Sequence, residues 1–144
     1  MMRPNLDDMK KIITIAKKAG ERIMQIYQKD FSVEVKEDQS PMTEADLASH
    51  HLICGELSKL YPDIPILSEE SVDTFKLDDE NPCYWCVDPL DGTKEFIKKN
   101  DEFTVNIALI QNQQPILGVI GVPAKNIVYA AVKGEGAFKQ QDDN

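Results

Sequence analysis

Three apolar segments joined by short polar connections dominate the chain from residue 103 onward. The segments are FTVNIALI, PILGVIGV and NIVYAAV, and the connections are residues 111–114 and 123–125. Their β-branched and aromatic residues favour strands, and connections this short join neighbouring strands that run in opposite directions. The pattern therefore predicts an antiparallel meander, and residues 134–138 indicate one further turn and strand.

Two segments in the first sixty residues carry apolar residues at helical spacing. Residues 5–29 repeat apolar side chains every three or four positions, and Asn5 is a suitable N-cap. Residues 44–60 carry a second apolar stripe, with Thr43 as N-cap and Asp46 three positions later in a capping-box arrangement. We predict an amphipathic helix in each segment.

The remaining segments predict short strands and polar connections. Strand composition occurs at residues 32–36, 64–68 and 83–88, whereas residues 37–41 and 71–82 are polar and predict a turn and a loop. Together with the meander, this pattern predicts an α+β fold with two helices packed on a largely antiparallel β-sheet.

Composition restricts the class of protein. The 144 residues suffice for one domain, and 42% of them are hydrophobic, so a core can form. A net charge of −9 disfavours binding to nucleic acid polymers or membrane surfaces, which attract Lys and Arg patches. No apolar run reaches the ~20 residues that cross a bilayer, and the N-terminus lacks the apolar stretch of a signal peptide. We expect a cytoplasmic protein without a membrane span.

The three cysteines predict neither a disulfide nor a metal site. They are Cys54, Cys83 and Cys86, and an odd number fits reduced thiols. Cys83 and Cys86 form a C-x-x-C pair, but both belong to a predicted strand. Positions three apart in a strand face opposite sides, so we expect two ordinary strand residues rather than a zinc or redox site.

Acidic residues follow two predicted strands and open one predicted helix. Glu69 and Glu70 end one strand, Asp88 and Asp91 end another, and Asp46 lies in the first helical turn. Strand ends and helix starts can meet at one edge of a sheet. Carboxylates that share a small volume repel one another unless a cation is present. Their oxygens suit Mg²⁺, Mn²⁺ or Ca²⁺ better than zinc or copper.

The segment DPLDGT adds backbone groups to these carboxylates. We expect Pro89 to prevent the strand from simply continuing, and the Leu90 carbonyl to remain available as a ligand. Gly92 permits a tight turn, and the N–H groups of Gly92 and Thr93 would start a helical turn that can bind an anion. A cation site beside an anion site is what hydrolysis of a phosphate ester requires.

Each of these residues also has a purely structural explanation. The aspartates of DPLDGT could belong to a solvated turn, and the two glutamates could begin a solvated loop. Asp46 could compensate the helix dipole, and the Thr93 hydroxyl could be an N-cap. Lys36 could lie at a solvated strand end. Only their joint presence favours the metal site.

Three segments, in this order, resemble a known family. PMTEADLASH, ILSEES and WCVDPLDGTKEF are similar to the inositol-monophosphatase superfamily of Mg²⁺-dependent, lithium-sensitive phosphatases. The form DGTKEF resembles its 3′(2′),5′-bisphosphate nucleotidase branch, the CysQ type. The resemblance implies that the predicted α+β unit is the N-terminal half of the family's αβαβα sandwich.

The resemblance also implies a role for each site residue. It implies metal ligation by Glu69, Asp88, Asp91 and the main-chain carbonyl of Leu90. It implies that Thr93 and Asp46 are catalytic and deprotonate the attacking water, and that the Gly92 and Thr93 amides bind the substrate phosphate. Glu70 and Lys36 are implied as secondary residues of the site.

The implied reaction is the hydrolysis of the 3′-phosphate of adenosine 3′,5′-bisphosphate to AMP, a step linked to sulfate assimilation. The partner would thus be a small phosphorylated substrate rather than a nucleic acid polymer. The implied cofactor is Mg²⁺, as two or three ions, with Mn²⁺ as a substitute and Ca²⁺ or Li⁺ as inhibitors. Alternatives are an inositol monophosphatase or related sugar phosphatase, and a non-catalytic lobe that binds divalent cations.

The resemblance covers only the first lobe of that fold. The second lobe of the family carries a W-D-x-x-A segment, whereas Trp85 is the only tryptophan of this chain. We therefore expect residues 1–144 to form the metal-binding catalytic lobe of a truncated chain, without the C-terminal substrate lobe and with doubtful activity. The sheet face meant for the other lobe would then be exposed and would favour self-association.

Overall fold

The computed structural model describes residues 3–29, 33–35, 41–71 and 82–141. Within these residues two long helices form, α1 (Leu6–Tyr27) and α2 (Glu44–Leu60), together with the short helix α3 (Thr93–Lys98). Both long helices were predicted, α2 with these bounds. Neither of them combines the length and the apolar character that crossing a bilayer requires.

Eight strands accompany the helices in the described part of the chain. Their bounds are β1 (Val33–Val35), β2 (Pro41–Thr43), β3 (Ile66–Ser68), β4 (Cys83–Asp91), β5 (Thr104–Gln111), β6 (Gln114–Val122), β7 (Ile127–Val132) and β8 (Gly136–Gln141). The predicted meander corresponds to β5, β6 and β7, and the further strand predicted near residue 138 is β8.

Six of the strands form one sheet in the order β3-β4-β5-β6-β7-β8, and β1 and β2 form a separate antiparallel pair. Within the large sheet only β3 and β4 are parallel, whereas the other neighbours are antiparallel. The predicted α+β fold with a largely antiparallel sheet is confirmed.

Both long helices begin at the predicted N-caps. The Asn5 side chain accepts a hydrogen bond from Asp8 N–H, and the Asp8 carboxylate accepts one from Asn5 N–H. Thr43 and Asp46 form the same reciprocal pair at the start of α2. These bonds satisfy N–H groups that have no partner within the helix and fix where each helix starts.

The core lies between one face of the sheet and helices α1 and α2. Alternate residues of the central strands point towards the helices and are buried, for example Val105, Ile107 and Leu109 of β5. Helix α1 packs on β5, β6 and β7, and α2 packs on β4. Ile120 and Tyr129 are paired on the opposite face and stay exposed. Self-association through that face remains a prediction.

Both prolines of the predicted turns lie in strands. β4 runs past Pro89 to Asp91, three residues beyond the predicted strand end, and the irregularity in its pairing there fits the expectation that the strand would not simply continue. Pro41 begins β2, and the rest of the predicted turn at 37–41 lies outside the described residues. The predicted turn at residues 123–125 is a short 3₁₀ helix. Most of the predicted loop at 71–82 lies outside the described residues.

The C-x-x-C pair behaves as two strand residues. Cys83 is buried against the helices, whereas Cys86 is exposed on the other face of β4. The three cysteines of the chain are free thiols, as predicted.

Candidate active site at the edge of the sheet

The site begins where β3 and β4 end. Because these strands are parallel, their C-terminal ends lie at the same edge of the sheet. The register pairs Ser68 with Val87, and Glu69 N–H continues the ladder by donating to the Val87 carbonyl at 3.1 Å. Glu69 therefore lies beside the Val87–Asp88 segment, which brings the two acidic strand ends together as predicted.

The end of β4 is distorted. Asp88 pairs with Asn106 and Asp91 with Thr104, so one strand advances three residues while its partner advances two. One extra residue in a strand relative to its partner forms a β-bulge, and bulges commonly redirect side chains next to functional sites. Pro89 and Leu90 are buried at the bulge, where Pro89 removes one ladder donor.

Gly92 connects the bulge to α3 and adopts a left-handed conformation with φ of 94°. A Cβ atom at this position would lie 2.9 Å from the Glu102 main-chain oxygen. Glycine is needed here for two reasons, the positive φ and the close approach of the backbone.

Gly92→Ala is expected to lower the free energy of unfolding by about 1–3 kcal/mol, because alanine disfavours this φ and its methyl group meets a backbone oxygen. Urea unfolding followed by circular dichroism measures the change. Gly55→Ala is the matched control, since a Cβ there meets nothing within 4 Å and φ is helical. Equal or greater stability of Gly92→Ala would contradict the assignment.

The Asp46 carboxylate is buried, with 1% of its surface exposed, and both of its oxygens accept hydrogen bonds. Oδ2 accepts from the Thr43 main-chain N–H at 2.9 Å and from the Thr43 hydroxyl at 2.6 Å. Oδ1 accepts from the Thr93 hydroxyl at 2.9 Å. The helix cap and the segment after β4 therefore meet at one carboxylate, as the predicted pairing of Asp46 with Thr93 requires.

Thr93 is the first residue of α3, and its hydroxyl does not cap that helix. Gly92 occupies the N-cap position without a side-chain bond. The Thr93 hydroxyl oxygen lies 2.9 Å from Asp46 Oδ1 and 3.4 Å from the Leu90 carbonyl oxygen. The shorter contact identifies the carboxylate as the main acceptor of its proton.

Sequence reasoning missed two contacts that hold this site. The buried Ser49 hydroxyl donates to the Pro89 carbonyl at 2.7 Å, which joins α2 to the bulge. The predicted capping box implied the bond from Thr43 N–H to the Asp46 carboxylate, but not the second bond from the Thr43 hydroxyl. The available signal was spacing, since Ser49 follows Asp46 by three positions and shares its helix face.

The acidic side chains around the bulge differ in exposure. Glu69 and Asp91 are exposed, whereas Asp88 and Glu70 are half-buried. Asn106 Nδ2 donates to Asp91 Oδ2 at 3.3 Å. Partial burial of its sulfur raises the pKa of the Cys86 thiol, although the side chain as a whole is exposed, and the negative charges of Glu69 and Asp88 raise that pKa further. The carboxylates of Glu69 and Asp88 therefore both lie close enough to Cys86 to affect it.

The chemistry of these groups fits a hard divalent cation. The predicted donors are three carboxylates and the Leu90 carbonyl, all of them oxygen ligands of the kind Mg²⁺ prefers. In the described ranges, no three His, Cys, Asp or Glu side chains are already placed to share one ion. Binding would therefore require side chains at this edge to turn towards a common point. Lys36, predicted as a secondary residue, lies outside the described residues.

Known proteins resemble this chain in sequence along most of its length. The model described as "Inositol monophosphatase family" matches residues 5–143. A curated relative named "3'(2'),5'-bisphosphate nucleotidase CysQ", from Escherichia coli strain K12, is 48% identical over 132 residues. The match covers 90% of this chain and 53% of that relative. The chain thus spans about half the length of the curated relatives it matches.

Solved structures show the same fold. The CysQ protein of Bacteroides thetaiotaomicron is 43% identical, with a TM-score of 0.76 over 96% of this chain and 51% of that one. An inositol monophosphatase (IMPase) of Thermotoga maritima is 30% identical, with a TM-score of 0.84 over 94% of this chain and 52% of that one. The match to the family model along nearly the whole sequence shows that this chain belongs to the inositol monophosphatase family.

Proposed function

We propose that this chain is the metal-binding catalytic lobe of a phosphomonoesterase that removes the 3′-phosphate of adenosine 3′,5′-bisphosphate. The observation that carries the proposal is the hydrogen bond from the Thr93 hydroxyl to the buried Asp46 carboxylate, beside the acidic end of β4. The substrate follows from the relatives named bisphosphate nucleotidase. Because the chain spans about half of those relatives, the activity of the whole protein is part of the proposal.

The residues proposed to hold Mg²⁺ are Glu69, Asp88, Asp91 and the Leu90 carbonyl. When bound, Mg²⁺ neutralises phosphate charge and lowers the pKa of a coordinated water. The chain's net charge of −9 would repel an anionic substrate. A bound cation would reverse the local charge and so allow this acidic site to bind a phosphate. The phosphate contacts of the Gly92 and Thr93 amides, and the secondary roles of Glu70 and Lys36, remain predictions.

The protein's own contribution is to move a proton. The Thr93 hydroxyl donates its hydrogen to Asp46 Oδ1, so the lone pairs of Thr93 are available to a water molecule. As that water attacks phosphorus and the bond between phosphorus and the ribose 3′-oxygen breaks, the proton of the water passes to Thr93 and the Thr93 proton passes to Asp46. The leaving 3′-oxygen takes a proton from solvent, so the products are AMP and phosphate. The two donors from Thr43 occupy Oδ2 and leave Oδ1 as the proton acceptor.

The test is phosphate release from adenosine 3′,5′-bisphosphate and from inositol 1-phosphate, side by side and in the presence of Mg²⁺. We expect the nucleotide to be hydrolysed faster by about tenfold or more, because a site built for one leaving group discriminates at this level. Asp46→Asn is the inactive control.

Faster release from the inositol ester would instead identify an inositol or sugar phosphatase. Calorimetric binding of Mg²⁺ without turnover of either ester would identify a non-catalytic cation-binding lobe, the second candidate. That candidate needs only the acidic side chains at the ends of β3 and β4, and not the proton transfer from Thr93 to Asp46.

A further inference from the structure

One face of α2 contacts both acidic strand ends. Asp46 and Ser49 reach the end of β4 through Thr93 and the Pro89 carbonyl. His50, one position further and on the same face, reaches the end of β3. No part of the proposed reaction has assigned a role to His50.

The contact of His50 is with Ser68, the last residue of β3. His50 Nδ1 lies 2.8 Å from Ser68 Oγ, and Ser68 has none of its surface exposed. Ser68 in turn holds the following residues, since its Oγ lies 3.4 Å from the Glu70 N–H nitrogen and its carbonyl accepts from Ser71 N–H at 3.0 Å. Ser68 therefore links α2 to the turn that carries Glu69 and Glu70.

The donors and acceptors present favour one direction for these bonds. Glu70 N–H can only donate, so Ser68 Oγ accepts from it. The single hydroxyl hydrogen of Ser68 is then free to donate to His50 Nδ1, provided that the ring carries its proton on Nε2. With the proton on Nδ1, the buried oxygen would receive two N–H groups and its own hydrogen would need another acceptor.

The surroundings of His50 favour the neutral ring that this arrangement needs. Burial lowers the pKa of His50, and the neighbouring His51 lowers it further. The Cys54 sulfur lies 3.6 Å from the same Nδ1 and is a weaker donor than the Ser68 hydroxyl. His50 thus accepts from Ser68 across the gap between α2 and β3.

We propose that His50 is a positioning residue, which fixes the Glu69–Glu70 turn through Ser68 and so holds Glu69 beside Asp88. The proposal deepens the proposed function and rests on it, because the turn matters for catalysis only if Glu69 binds the metal. His50 itself touches neither the acidic side chains nor a substrate in this role, so its effect reaches the site only through Ser68.

Two substitutions of His50 separate positioning from helix stability. His50→Leu removes the acceptor, whereas His50→Asn keeps one, because the asparagine Oδ1 is attached to Cγ as Nδ1 is in histidine. His51→Leu is the matched control, since it makes the same change at the exposed neighbour and also removes the ring contact between His50 and His51.

Two measurements on the intact chain read out the effect, hydrogen exchange of the Glu70 amide by NMR and Mg²⁺ affinity by calorimetry. In His50→Leu we expect faster Glu70 exchange and about fivefold weaker Mg²⁺ binding, the size that one lost hydrogen bond produces. His50→Asn and His51→Leu should both stay near the wild type.

The proposal is overturned if His50→Leu matches the wild type in both measurements, or if His51→Leu changes them equally. If the wild-type chain binds no Mg²⁺, the proposed function fails instead. Glu70 exchange then still decides whether His50 holds the turn.

Discussion

Asp88→Asn is expected to lower the affinity of the chain for Mg²⁺ by about 100-fold or more, because it replaces an anionic ligand with a neutral amide. Asp88 is half-buried at the bulge, next to the segment that carries Glu69. The substitution keeps the shape of the side chain, so the fold should persist. Calorimetric titration with Mg²⁺ measures the affinity, and circular dichroism measures the fold.

Asp63→Asn provides the control for this change, since Asp63 is exposed between α2 and β3. It alters net charge by the same amount and should leave Mg²⁺ affinity within about twofold, because exposed charges at a distance are screened. Unchanged affinity in Asp88→Asn, with the fold intact, would remove Asp88 from the proposed ligand set.

Asp46→Ala is expected to lower the free energy of unfolding by about 3 kcal/mol, which would be a large part of the stability of a small domain. The carboxylate is buried and accepts three hydrogen bonds, two from Thr43 and one from Thr93. Its loss removes one half of the capping box of α2, since Thr43 can still cap the helix, and leaves buried donors unsatisfied. The Thr93 hydroxyl can turn to the Leu90 carbonyl at 3.4 Å, which recovers part of the loss.

Asp8→Ala is a control with the same local geometry. Asp8 forms the same capping box with Asn5 and accepts from the Tyr61 hydroxyl at 2.7 Å, but it is only half-buried. We expect a loss of about 1 kcal/mol, because water can replace its bonds. Urea unfolding of both variants gives the comparison, and equal losses would contradict the importance of burial at Asp46.

Local patterns were enough to predict most of the elements. Alternating β-branched residues predicted β5, β6 and β7, and the helix caps at Asn5 and Thr43 predicted where the long helices begin. These features depend on neighbours in sequence, for which spacing and residue type are sufficient. Resemblance to a family then supplied the pairing of Asp46 with Thr93, which the structure contains.

The features that the sequence did not predict depend on tertiary contacts. The bulge through Pro89 forms because the neighbouring strand β5 continues to pair beyond it, which local preference for a turn could not show. Ser49 and His50 looked like ordinary polar residues of a helix. Their partners, the Pro89 carbonyl and Ser68, lie on strands whose position relative to α2 is set only by packing of the core.

The contacts of α2 also bear on how the chain folds. Its links to the strand ends join residues that are 47, 40 and 18 positions apart along the sequence. Closing the loops between such residues costs conformational entropy, whereas the bonds within helix α2 join residues only four positions apart. Thr93 and Asp46 lie on elements that meet only when α2 packs against the end of β4, so their hydrogen bond depends on the native topology around it.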